Sequence, residues 1–203
     1  MNVNHIAIIG LGSIGRRYVR LIKTNYPNTE VTIVRSGKGL SYPEEALADR
    51  ILKSINDLKG LGVKAAIVSS PATQHLKQGL ALVNYGIHTL IEKPLSHSSF
   101  GVSKLIKTIS SKKVVLSVGY VLRYDPVLNK IKYYVDNGLI GKITYVKIDC
   151  GSFLPDWRPG QNYKKTVSAS KNLGGGVLLE LSHELDYLRW LFGDVSSVYA
   201  NLP

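Results

Sequence analysis

Three glycines in the run Gly10-Leu11-Gly12-Ser13-Ile14-Gly15 could hold a pyrophosphate. The first permits a tight turn, the second lets backbone approach an anion, and the third lets a following helix pack closely on the preceding strand. Amides at the start of that helix would receive the negative charge. About 20 residues on, such sites usually carry an acid for the adenosine ribose, but here the chain has Arg35 and Ser36. A guanidinium there suits a 2′-phosphate, with Ser36 and Lys38 as further donors, so NADP is expected ahead of NAD. The other reading is that Arg35 stacks on adenine and both cofactors bind.

The glycine pattern is specific only between a strand and a helix, and the flanking sequence supplies both. His5 to Ile9 is a short apolar run, and Arg16 to Lys23 carries Tyr18, Val19, Leu21 and Ile22 at helical spacing. Val31 to Val34 is a second β-branched run, which completes a βαβ unit. Helix is expected at Ala46 to Leu52, strand at Ala65 to Ser69, helix at Thr73 to Tyr85 and strand at His88 to Ile91. A helix at Phe100 to Ser110 and a strand at Val114 to Gly119 continue the alternation. The fold class is therefore α/β, with a Rossmann doubly wound parallel sheet over residues 1–120.

After Tyr120 the pattern changes to a helix at Pro126 to Asn137, an alternating strand at Ile143 to Phe153 and a polar loop through Lys171. Gly174-Gly175-Gly176 leads into one apolar helix ending near Phe192, and Val195 to Ala200 begins another strand. Residues 121–203 are expected to form a partial α+β domain for substrate and dimerisation.

With 44% hydrophobic and 20% charged residues the chain has the composition of a folded globular protein. Cys150 is the single cysteine, which excludes a disulfide framework and a cysteine-based zinc site; no metal is expected. The net charge of +12 is spread from Arg16 to Arg189 without a basic block, so no nucleic-acid partner is expected. No apolar run is long enough to span a membrane, and the amino terminus does not resemble a signal peptide, which points to the cytoplasm.

Further motifs stand in order along the chain: Ser70-Pro71-Ala72-Thr73-Gln74-His75, Glu92-Lys93-Pro94, and the triple glycine followed by His183 and Asp186. With the glycine turn, they make the chain resemble the Gfo/Idh/MocA oxidoreductases from Ile6 to Phe192. The resemblance implies hydride transfer between NAD(P) and a sugar, sugar nucleotide or cyclitol, in a homo-oligomer. It implies that Gly10, Gly12, Ser13, Ile14, Gly15, Arg35, Ser36, Ser70, Pro71, His75, Glu92 and Lys93 serve the cofactor. Lys93 would lie beside the nicotinamide and the reacting oxygen, where an ammonium stabilises developing negative charge and exchanges a proton.

His183 looks like the family's helix histidine, an acid/base for the hydroxyl proton. On a continuous helix Leu178, Leu181, Leu185 and Leu188 share one side, while Leu179, Glu180, His183, Asp186 and Trp190 share the other. Asp186, three residues on, could orient the imidazole. Many members carry an aspartate four residues before this histidine, whereas here that residue is Leu179. Either Glu180 replaces it, or proton transfer relies on Lys93 and His183 alone. Arg123, Trp157, Arg158 and Tyr163 are the substrate candidates, together with His183. The run around Leu154 to Arg158 is similar to members associated with surface-sugar biosynthesis. Members generally exceed 300 residues, so the 203 residues are expected to be a truncated form or a fragment with an incomplete substrate site, and the other reading is a catalytically silent cofactor-binding or sensor protein.

Overall fold

The structure is a computed structural model, and it describes residues 3–157, 159–160 and 162–201. Six strands form one sheet, β1 (His5–Ile9), β2 (Glu30–Val34), β3 (Arg50–Leu52), β4 (Ala65–Val68), β5 (His88–Ile91) and β6 (Leu116–Val118), in the order β3-β2-β1-β4-β5-β6. Every pairing is parallel. Helices α1 (Ser13–Asn25), α2 (Ala72–Asn84) and α3 (Val102–Lys112) connect β1 to β2, β4 to β5 and β5 to β6.

Successive strand residues point to opposite faces, and both faces are apolar. In β1, Ile8 joins Val19 and Ile22 of α1 and Val31 and Ile33 of β2 in one buried cluster. Its neighbours Ala7 and Ile9 join Leu82 of α2, with Val68 and Ile91, in the other. The order reverses between β1 and β4, so the carboxyl ends of those strands open a crevice there.

Residues 46–52 are not a helix. Pro43–Leu47 makes a 3-10 turn and Arg50–Leu52 becomes the edge strand β3. Tertiary pairing decides this: Asp49 exchanges backbone and side-chain hydrogen bonds with Val31, its N–H donating to the carbonyl at 2.9 Å and its carboxylate accepting the Val31 N–H at 2.8 Å. The same carboxylate accepts from Lys23 at 2.7 Å, which holds its pKa below the usual range. Propensity yields to such pairing.

Beyond β6, α4 (Pro126–Asp136) starts at Asp125, whose carboxylate accepts the N–H groups of Val127 and Leu128 at 2.9 and 3.1 Å. The expected strands at 143–153 and 195–200 are absent; neither stretch is in regular structure. Alternation alone does not make a strand, because backbone groups must find a partner strand. Among the described residues of 154–173 are four short 3-10 turns. The expected continuous helix is two pieces, α5 (Val177–Glu180) and α6 (Ser182–Phe192), with Leu181 between them outside helical geometry. The leucine stripe is lost with it, and Leu178 and Leu185 are exposed.

Two helical glycines differ in what surrounds them. A Cβ on Gly15 would lie 2.2 Å from the Gly10 carbonyl oxygen, whereas one on Gly79 would meet the flexible Ile91 side chain, its terminal methyl at 2.6 Å. Gly15→Ala is expected to lose about 2 kcal/mol or more through unrelieved overpacking. Gly79→Ala should stay within about 1 kcal/mol, since alanine's helix propensity offsets a methyl rearrangement. Thermal denaturation of both variants checks the contrast.

Candidate active site

A cleft of about 930 Å³ runs along the carboxyl ends of the sheet. Its floor is the glycine turn. Gly10 has φ +92°, a conformation that L side chains rarely adopt, and its Cα sits so close to the chain leaving β4 that a Cβ would be 3.0 Å from the Ser70 nitrogen. Gly12 has open space where a Cβ would stand, and α1 begins there with no side chain capping its first amides. Uncapped amides at a helix N-terminus, reachable over a bare glycine, are the donor set a pyrophosphate requires. The residues present therefore fit a nicotinamide dinucleotide.

At one end of the cleft stand Arg35, Ser36, Lys38 and Lys53. Arg35 is not free, for its guanidinium pairs with Glu45 and donates to the Leu40 carbonyl at 2.9 Å. Ser13, Ile14, Ser70 and Pro71 line the middle. Gly15 is buried beneath it as a packing residue. His75 also borders the cleft, but its ring is buried and spans the carbonyls of Ser70 and Pro94, each at 2.7 Å. It braces two loops.

Glu92, Lys93 and Glu180 line the other end. Lys93 precedes a cis peptide bond to Pro94 and donates to the Glu180 carbonyl at 2.8 Å and the Glu180 carboxylate at 3.2 Å. An ammonium has three donors, so one stays available for a ligand oxygen. The grip falls where the helix breaks, on the last residue of α5. Glu92 accepts the Tyr18 hydroxyl at 2.6 Å. Burial, aided by the Glu92 carboxylate, pushes the Tyr18 phenol well above its usual range, so it remains a donor.

His183 packs edge-on against Tyr120, with ring centroids 5.7 Å apart, just outside the cleft walls. Its Nδ1 is buried and has no hydrogen-bond partner among the described residues. Burial lowers its pKa, the Lys93 charge lowers it further, and Glu184, Glu92 and Asp186 oppose the shift. A neutral imidazole beside an ammonium can accept a proton.

Asp186 does not orient this imidazole. Its carboxylate takes a bidentate ion pair from Arg123, Nε at 2.8 Å and the terminal nitrogen at 2.7 Å, which joins α6 to the turn before α4. Such a fork satisfies a carboxylate better than a single imidazole does. Arg123 is thereby occupied as well, and its pKa is raised by Asp186. Trp157, which donates to the Ser152 hydroxyl at 2.6 Å, and Tyr163 lie away from the cleft walls. Arg158 lies outside the described residues. Sequence reasoning missed Tyr18, Glu45, Lys53 and Tyr120. Tyr18 and Glu45 carry only helix-spacing and capping signals in the sequence, and each meets its partner through the fold.

Comparison with known proteins agrees with this architecture. Residues 4–120 match the family model described as oxidoreductase family, NAD-binding Rossmann fold, and residues 128–203 match the GFO/IDH/MocA C-terminal domain. The chain is 27% identical over 201 residues to a myo-inositol 2-dehydrogenase of Thermotoga maritima, covering 97% of this chain and 57% of that protein. Among solved structures, scyllo-inositol dehydrogenase from Lactobacillus casei with bound NAD(H) and scyllo-inositol superposes with a TM-score of 0.75 at 22% identity, covering 95% and 57% of the two chains. A dehydrogenase from Bordetella pertussis in complex with NADH and UDP-GlcNAcA gives 0.74 at 20% identity, covering 95% and 59%. At these identities the superpositions speak for the fold alone. The chain spans about half the length of the curated relatives it matches. With both of its halves matched in order, the chain belongs to the Gfo/Idh/MocA oxidoreductase family.

Proposed function

We propose that the protein is an NADP-preferring oxidoreductase that moves hydride between nicotinamide and a hydroxyl-bearing or carbonyl carbon of a sugar, sugar nucleotide or cyclitol. The observation that carries the reading is one cleft with an uncapped glycine turn at its middle and Lys93 at its end, held by Glu180. In this reading residues 1–120 form the cofactor unit and 121–203 part of the substrate unit, in a cytoplasmic homo-oligomer. Among the described residues no helix is long and apolar enough to cross a membrane.

The α1 amides and the Gly12 backbone would hold the pyrophosphate, while Arg35, Ser36 and Lys38 would face the adenosine ribose. When bound, nicotinamide supplies a hydride acceptor or donor at its C4 carbon. For oxidation, the Lys93 ammonium holds the substrate oxygen and stabilises negative charge on it, and neutral His183 takes the hydroxyl proton. For reduction, His183 as imidazolium returns that proton. Glu180 holds the Lys93 chain in place. A surface-sugar substrate is the finer form of this proposal.

Lys93→Met and His183→Ala are each expected to lower turnover about a hundredfold or more, with a far smaller change in cofactor affinity. Assay across cyclitols, sugars and sugar nucleotides, read by reduced-nicotinamide absorbance, tests both; near-normal turnover in either variant removes that residue from the mechanism.

The lowered His183 pKa carries a sign. A histidine ordinarily titrates near about 6.5, and a depressed value keeps the neutral base present below that pH. The oxidation rate should therefore persist below about pH 6.5 before falling. Stability should decline as pH drops from that ordinary value toward the lowered one, where the unfolded chain binds a proton that the folded chain refuses. Both limbs should vanish in His183→Ala.

Arg35→Asp is expected to reduce the preference for NADPH over NADH about ten- to a hundredfold, as loss of a charge-assisted phosphate contact implies. Fluorescence titration with each reduced cofactor measures it. Equal affinity of the unmodified protein for both would overturn the NADP preference.

A further inference from the structure

The end of the cleft nearest Arg35 holds a charge pattern that the glycine turn does not explain. Arg35 follows β2 and borders the cleft, with its side chain only 12% exposed. One Glu45 carboxylate oxygen receives both its guanidinium and the Tyr42 N–H, the latter at 2.8 Å. Glu45 sits on the 3-10 turn Pro43–Leu47, behind Arg35 and off the cleft wall. Lys38 and Lys53 border the same end. Neither forms an ion pair among the described residues.

We propose that Glu45 is a positioning residue that sets cofactor discrimination, its carboxylate neutralising Arg35 and so restraining the affinity of this cleft for a 2′-phosphate. The inference rests on the reading that Arg35 faces the adenosine ribose. A phosphate monoester brings close to two negative charges at neutral pH. Glu45 opposes it twice, by Coulomb repulsion through a poorly solvated wall and by occupying guanidinium donors that a phosphate would share. A cofactor with a free 2′-hydroxyl brings no charge there, so the same carboxylate costs it little and keeps Arg35 extended as a platform for the ring. Glu45 thus narrows the gap between the two cofactors, while Lys38 and Lys53 keep the end cationic.

Glu45→Gln isolates the charge, because an amide oxygen can still accept the Tyr42 N–H and keep the turn. Dissociation constants for NADPH and NADH are measured by fluorescence titration for the unmodified protein, Glu45→Gln, Arg35→Ala and the double variant, each at low and high salt. The expected result is that Glu45→Gln raises NADPH affinity about tenfold more than NADH affinity, and that added salt erodes this gain. The gain should disappear when Arg35 is also replaced. Equal change for both cofactors, or an undiminished gain in the Arg35→Ala background, overturns the proposal. Failure of the ribose-facing reading looks different: Arg35→Ala would then alter neither cofactor's affinity. Circular dichroism melts of Glu45→Gln guard against misreading a damaged fold, and a melt unchanged beside an unchanged cofactor ratio also overturns it.

Discussion

The carbonyl oxygen of Gly10 is the point on which the rest of the cleft depends. The Ser69 hydroxyl donates to it at 2.9 Å, and α1 approaches it so closely that residue 15 can carry no side chain. Three segments, the end of β1, the start of α1 and the residue after β4, are drawn together there, the last through the Ser69 hydroxyl. That hydroxyl fills the space that remains between them, so the first amides of α1 are aimed before any ligand arrives. Preorganised donors of this kind bind an anion without a further ordering cost.

From that fixed floor the second end of the cleft is built by relay. Tyr18, on α1, fastens Glu92, and Glu92 also accepts the Lys93 N–H at 3.3 Å. Lys93 then reaches 87 residues along the chain to the Glu180 carbonyl. That carbonyl belongs to the last residue of α5, and α6 begins at Ser182 and sets His183 against Tyr120. The cationic lysine and the partly buried imidazole are thereby close enough for one to depress the pKa of the other. Arg123 and Asp186 secure the same helix one turn further along.

The Rossmann half was legible because its signals are local. Apolar strand runs, helical spacing and a glycine triplet each report on a few neighbouring residues, and the sheet buries both faces of its inner strands, which hides no alternative pairing. Residues 46–52 were misread for the same reason in reverse, since their helical spacing is local while their edge-strand fate depends on Asp49 meeting Val31. The alternating runs at 143–153 and 195–200 describe a preference for pairing, and a preference without a partner strand leaves the backbone irregular.

For the site, sequence alone determined which chemistry was available: three glycines shaped for a phosphate turn, an arginine where the ribose end begins, and a lysine and a histidine able to handle a proton. Residue type and short spacing suffice for that, because each property belongs to a side chain or to one turn of backbone. Tertiary structure decided the partners. Arg35 meets Glu45 across a loop, Asp186 answers Arg123 and leaves His183, and Lys93 finds Glu180 at the break in a helix that periodicity draws as continuous. Charge and hydrogen-bond pairing are settled by distances between residues far apart in sequence, and such distances exist only once the chain has folded.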